Sequence, residues 1–293
     1  MKDKLVSVII PTYKDWSRLR LCIDALSKQS YPKECFEVII VNNNSEEGMP
    51  DDYMMPQNFK LITETKPGSY AARNTGLKIA KGEIIGFTDS DCIPEKDWIK
   101  NAVDYLNDNK SCSRIAGHID IIFKEAKPTT AELYNSVFAF PQKSHALYSG
   151  TGVTGNMFTY KNVFDTVGPF NERLLSLGDL EWGKMAHKAG FQIHYRKDVV
   201  IKHPARTLAE LITKERRVGG GQGLMGKRSQ VQSVLSYLAD NRPRLFIFKH
   251  IYRHSTNLSL AGKIKVLLLR HYLLNIRALE KLRVQMGKQA SRA

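Results

Sequence analysis

Ile84-Ile85-Gly86-Phe87-Thr88-Asp89-Ser90-Asp91 is an apolar run that stops abruptly at two carboxylates. Glu83 to Thr88 reads as a strand, because short β-branched and aromatic runs fill buried parallel sheets. Working outward, residues 5–10 (Leu-Val-Ser-Val-Ile-Ile) form a second such run, ended by Pro11. Phe36 to Val41 forms a third, stopped by the turn residues Asn42-Asn43-Asn44-Ser45. Phe59 to Thr63 is a weaker strand.

Helical spacing fills the gaps. Trp16, Leu19, Cys22, Ile23 and Leu26 recur on one face of residues 15–28. Tyr70 to Ala80 reads as a helix with Gly82 beyond its end, and Pro94 opens another that runs through Leu106. Alternating strands and helices predict an α/β fold with a mostly parallel sheet flanked by helices. Ligands of such sheets sit beyond the strand ends. Three of those ends are polar here: Thr12-Tyr13, Asn42 to Ser45, and Asp89 to Asp91.

Beyond residue 113 the reading is of shorter strands (Ile115 to Phe123, Met157 to Tyr160, Phe191 to Tyr195) and a helix near Leu180 to Ala189. Gly150 to Gly155 reads as a loop. After Pro204 the character changes. Helical segments near 206–217 and 229–239 flank Gly219-Gly220-Gly221-Gln222-Gly223, read as a linker or a mobile loop that closes over a diphosphate. A last amphipathic segment runs from about Leu260 to Val284.

The chain has 293 residues, 42% of them hydrophobic, enough for one large or two modest cores. There is no apolar run of about 18 residues, so no membrane span is predicted. Met1-Lys2-Asp3-Lys4 lacks the pattern of a secretory signal, which predicts a cytoplasmic protein. The four cysteines have no metal-knuckle spacing and read as reduced thiols. The net charge of +15 is uneven. From Ala205 onward there are 18 Lys and Arg against 4 Asp and Glu; residues 1–204 hold 26 against 25. Such asymmetry predicts a polyanionic partner, nucleic acid or an anionic membrane surface.

Asp89 and Asp91, one residue apart at a strand end, can share a hard divalent cation and leave its other sites to diphosphate oxygens. The same pair also fits an ordinary Asp-rich turn.

Further stretches carry a resemblance: Val6 to Tyr13, Val38 to Ser45, Gly68 to Gly76 with its Ala-Ala-Arg-Asn-Thr-Gly, Phe87 to Pro94, Gly155-Asn156-Met157, and Gly178 to Gly183. In this order they resemble the inverting glycosyltransferases of family 2, of GT-A fold, in the manner of bacterial polysaccharide or glycolipid biosynthesis. The resemblance covers about residues 5–205. It implies a catalytic domain over 1–205, with a nucleotide-binding part to about 110 and an acceptor-binding part over 111–205. Residues 206–293 are left as a helical basic region that associates with membrane or oligomerises.

The resemblance also implies roles. Pro11 and Tyr13 line the base and ribose site. Asn43 reads the base edge, its carbonyl accepting the N3–H of a uracil or its amide donating. Gly68 lets the backbone approach the diphosphate, and Arg73 reaches it. Asp89 contacts the donor. Asp91 ligates Mn²⁺ or Mg²⁺, and His203, after the strand Val199-Val200-Ile201, completes that site or is structural; an imidazole suits Mn²⁺. Asp179 is the general base, or a helix-start acid favoured by the helix dipole. Gly178 departs from the family pattern, which has an acid there, and position 42 is Asn where the family often has Asp. Asn156, Glu181 and Trp182 are assigned to the acceptor side. Glu181 also reads as solvated and Trp182 as core.

The expected activity is transfer of a sugar from a nucleotide-diphosphate donor, UDP-linked, to a glycan or lipid-linked hydroxyl. The segments 242–253 and 261–283 mix broad apolar faces with Lys and Arg. They predict peripheral binding at the inner face of the cell membrane, or packing on the catalytic domain or a second subunit. Two other function classes stay open from the residues alone. A nucleic-acid-binding protein fits the basic tail, although the tail's long aliphatics and the absence of a recognised module argue for no nucleic acid. A phosphohydrolase with Asp89 as nucleophile fits the Asp-x-Asp.

Overall fold

The computed structural model describes residues 4–44, 46–50, 53–124, 126–224, 229–240, 242, 247, 250–252 and 258–290. Ser45 and most of the 242–253 segment lie outside them.

Two compact units are distinguished. The first comprises Met1–Asp120, Phe140–Arg173 and Gly178–His203; the second comprises Ile121–Ala139, Leu174–Leu177 and Pro204–Ala293. The described strands are β1 (Val6–Thr12), β2 (Phe36–Asn42), β3 (Phe59–Thr63), β4 (Ile84–Thr88), β5 (Ile93–Pro94), β6 (Cys112–Ile122), β7 (Asn156–Tyr160) and β8 (Gln192–Pro204). They form one sheet in the order β3-β2-β1-β4-β7-β6-β8-β5.

β3, β2, β1 and β4 run parallel, with Val6 opposite both Phe36 and Ile84. Every residue of β1, β2 and β4 is buried, the mark of a sheet covered on both faces. Pro11 fits in β1 because the β1–β4 ladder has already ended at the Ile9–Phe87 pair, so its missing N–H costs nothing on that side. The sheet is mixed: β7 runs antiparallel to β4, and β6 antiparallel to β7. The strand expected over 191–195 is part of the longer β8.

Around the sheet of the first unit lie α1 (Trp16–Ser27), α2 (Ser69–Ile79) and α3 (Trp98–Asp108). α1 buries the five residues whose spacing predicted it. α3 starts four residues later than expected, because Ile93–Pro94 pairs with β8 as β5. Later helices are α4 (Thr130–Phe138), α5 (Gln142–Ser144), which runs into a π-turn over His145–Ser149, α6 (Asn162–Val167) and α7 (Gly178–Lys188).

The second unit holds α4, α8 (Leu208–Leu224), α9 (Gln230–Asp240) and α10 (Leu260–Gln285). Thr129 and Glu132 form a reciprocal capping box at the start of α4. Tyr134, Leu211, Val266 and Leu273 anchor this unit's core. Residues 219–223 are not a linker or a loop over a ligand: they are the last turns of α8. The reason is tertiary. A Cβ on Gly219 would lie 2.3 Å from the Arg277 carbonyl of α10, and one on Gly223 would lie 2.7 Å from the Val284 Cβ. Bare backbone lets the two helices close up, which outweighs the roughly 1 kcal/mol that each helical glycine costs.

Candidate active site

β4 delivers Asp89 and Asp91 just past its C-terminal end, as the sequence required. α2 then reaches across to the acids of the first unit. Its Gly68 N-cap has φ +121°, a backbone state that side chains avoid, so a glycine is needed where the chain turns into the helix. Two α2 residues, three apart and therefore on one face, each hold one acid. Arg73 pairs with the Asp89 carboxylate through Nη2. The Tyr70 hydroxyl donates to Asp179 Oδ1 at 3.1 Å.

Asp179 lies in the first turn of α7. Besides Tyr70 it accepts the backbone N–H groups of Leu180 at 3.0 Å and Thr154 at 3.2 Å. The next residue, Gly155, sits against Asp89: a Cβ there would lie 3.2 Å from Oδ2. One dipeptide of the Gly150–Gly155 loop thus touches both acids. His145 stands in the field of Asp179. Burial lowers its pKa and the Asp179 charge opposes that, so the ring is held toward its neutral form. Burial and Asp179 push the Tyr70 phenol far up, so it remains a donor.

His203 Nε2 is 3.2 Å from Asp91 Oδ2, with the imidazole wholly buried against Phe140. Asp91, Cys92 and His203 present ligand atoms within 4.8 Å of one another. Asp91 and His203 suit Mn²⁺, and Asp91 suits Mg²⁺. Cys92 does not complete the set. Its sulfur is a soft donor that suits neither of these hard ions.

The remaining assigned residues divide into open and closed positions. Tyr13 is exposed beyond β1, while Pro11 is buried within it. Asn43, just past β2, is committed to the segment between β3 and α2. Its amide donates to the carbonyls of Glu64 and Lys66, and its oxygen accepts the Gly68 N–H. Both amide protons are spent, so donation to a base is closed and only a second lone pair on the oxygen is left. Arg73 is nearly fully buried, so its charge acts from behind Asp89, not at the surface.

Two acceptor-side assignments need correction. Trp182 is fully buried, stacked on Phe164 at 4.5 Å and donating its ring N–H to Gly168. It has no face to offer a sugar. Asn156 is fully buried as well. Its amide donates to the His118 and Val199 carbonyls, and its oxygen accepts from Trp98, which uses the group as a rivet between strands. Glu181 is partly exposed and accepts from Asn171 at 3.5 Å.

Sequence reasoning missed Tyr70 and His145. Tyr70 was legible as the residue one turn before Arg73 on the same helix. Nothing in the sequence flagged His145.

The sequence model of glycosyl transferase family 2 matches residues 7–168, which include all of β1 but Val6, the Asp89–Asp91 turn and β7. The chain belongs to glycosyl transferase family 2.

This family 2 glycosyltransferase is 35% identical over 225 residues to the glycosyltransferase AglE of Haloferax volcanii, covering 74% of this chain and 72% of that one. It is 25% identical over 236 residues to a dolichyl N-acetyl-alpha-D-glucosaminyl phosphate 3-beta-D-2,3-diacetamido-2,3-dideoxy-beta-D-glucuronosyltransferase of Methanococcus voltae, covering 75% and 73%. Its structure resembles the mannosyltransferase PcManGT of Pyrobaculum calidifontis, solved with GDP-Man and Mn²⁺. The TM-score is 0.57, at 18% identity over 99% of this chain and 77% of that one. The shared architecture is the α/β GT-A fold.

Proposed function

We propose that this glycosyltransferase inverts the anomeric centre while moving a sugar from a nucleoside-diphosphate donor, UDP-linked, to a hydroxyl of a glycan or lipid-linked acceptor. Residues 1–205 carry the reaction. The observation that carries the reading is the pair of contacts from one face of α2, Tyr70 to Asp179 and Arg73 to Asp89. It supports the reading because one helix face holds both Asp179 and Asp89.

Asp179 takes the acceptor hydroxyl proton as that oxygen attacks the anomeric carbon. The Thr154 and Leu180 N–H groups and the Tyr70 hydroxyl fix its carboxylate for that task. Asp89 faces the donor and is held by the buried Arg73. Asp91 and His203 hold a divalent cation, Mn²⁺ or Mg²⁺, which when bound supplies positive charge to the departing diphosphate. Tyr13, Asn43 and Pro11 border the nucleoside, Gly68 lies on the diphosphate side, and Glu181 is left as the acceptor-side polar group. The lipid-linked acceptor is supported by the dolichyl phosphate substrate in the name of the Methanococcus voltae relative. Two of the relatives come from Haloferax volcanii and Methanococcus voltae, so the reading is not tied to bacterial polysaccharides.

The test is a thermal-shift screen of nucleoside diphosphates with and without Mn²⁺, then the same screen on Asp179→Asn. A donor nucleotide should raise the midpoint in both proteins, since a ligand bound only by the folded state stabilises it. Transfer should vanish in the variant alone. Near-normal turnover by Asp179→Asn removes Asp179 from the reaction.

A further inference from the structure

α9 is built inside out. Its one buried residue among the described ones is polar, Ser233, while Val231, Val234, Leu235 and Leu238 are exposed, Val231 by 69% and Leu235 by 60%. Their spacing of three, one and three residues makes a single apolar ridge along the helix. The opposite face is tied down by polar bonds: the Lys281 ammonium of α10 donates to Ser236 at 2.8 Å and to Asp240 at 2.7 Å. Those bonds fix which side of α9 faces out. A ridge of this kind marks an interaction surface.

α10 repeats the arrangement. Val266, Leu273 and Val284 are buried, whereas Leu260, Ile264, Leu268 and Tyr272, at four-residue steps, are exposed. Six basic residues but only one acid, Glu280, lie on this helix. No helix among the described residues is long and apolar enough to cross a membrane.

We infer that the ridge of α9 is the face with which the second unit lies on an anionic lipid surface. Charge decides between occupants. The stretch from Ala205 onward has 14 more basic than acidic residues, so a second copy would bring like charge against like charge. A lipid leaflet with acidic headgroups supplies both the opposite charge and the apolar bed. Nucleic acid supplies charge but no bed for four aliphatic side chains. The inference deepens the lipid-linked acceptor proposed above, since it places the enzyme where such an acceptor is anchored.

The experiment is sedimentation of the full chain with phosphatidylcholine vesicles and with vesicles that also contain phosphatidylglycerol. The protein should pellet with the anionic vesicles. Leu235→Asp combined with Leu238→Asp should weaken that binding by more than about tenfold, because two leucines leave the apolar layer. Both positions are exposed, so the double variant should keep its melting midpoint. If it does not, hydrogen exchange on the unaltered chain decides instead, and residues 230–240 should gain protection only when anionic vesicles are present. A chain that stays in the supernatant overturns the inference. So does a double variant that binds as well as the original, or an α9 unprotected by vesicles. A concentration-dependent dimer that the double substitution abolishes assigns the ridge to a second copy and overturns it too. No donor, acceptor or metal is in the tube, so this result is independent of the Asp179 test.

Discussion

The ring of Tyr70 fills the space that a side chain at Gly178 would need: a Cβ there would lie 2.8 Å from Cε2 and 2.9 Å from Cδ2. The family resemblance leads one to expect an acid at 178. In this chain an aromatic ring from α2 takes the volume, and its hydroxyl contacts the neighbouring Asp179.

That exchange predicts a linked pair of variants. Gly178→Glu should lower turnover sharply, because the ring must move and its hydrogen bond goes with it. Gly178→Glu with Tyr70→Ala should recover part of the loss, which an unrelated folding defect would not allow. Tyr70→Phe alone removes only the hydroxyl. It should lower kcat by about tenfold, the worth of about one hydrogen bond to a charged group, with little change in KM for the donor. Steady-state kinetics of the four proteins checks this. Burial keeps the Tyr70 hydroxyl protonated far above neutrality, so its donation to Asp179 should persist through the alkaline range.

His203→Ala should raise the Mn²⁺ concentration needed for half-maximal activity by about tenfold or more, as expected for losing one ligand from the Asp91 pair. Cys92→Ser should leave it nearly unchanged, because a soft sulfur adds little to the binding of a hard cation. Metal titrations of transfer, or of donor-induced thermal shift, read both.

Glu37 gives a pH-dependent prediction for stability. Burial pushes its carboxyl up, but the Lys81 N–H, the Ser7 hydroxyl and the Lys60 ammonium together outweigh that and leave it lowered. A carboxyl depressed in the folded state stabilises above its unfolded pKa, and that stabilisation is lost as pH falls through the folded pKa. Glu37→Gln should therefore destabilise by about 1 kcal/mol at neutral pH. The difference should shrink toward zero below the ordinary carboxylate range. Thermal melts of both proteins across acid pH decide it.

Gly219→Leu should disrupt the second unit. The new side chain meets the Arg277 backbone, which cannot rotate away, so the helices must part at a cost of about 2 kcal/mol or more. Gly48, with open space around its Cα, provides the contrast, and Gly48→Ala should be silent in a melt.

The parallel half of the sheet was legible because β1, β2 and β4 are β-branched runs with polar stops. α1 was legible to the residue. The helical glycines of α8 were not, since propensity treats them as breakers and only the facing helix explains them. Family order located Asp89, Asp91, Asp179 and His203 along the chain. It carried no information on burial, so Asn156 was assigned to an acceptor side it does not reach, and of the two readings of Trp182 the core one holds. Tyr70 was missed because its importance lies in a contact 109 residues away.

α2 couples two distant sequence positions mechanically. Tyr70 and Arg73 are fixed to the same rod, so any tilt or slide of that rod displaces their two acidic partners in concert. A pull on the Asp89 carboxylate acts through Arg73 on the helix whose Tyr70 hydroxyl donates to Asp179. The two acids, 90 residues apart in the chain, thus share one rigid support one helical turn long.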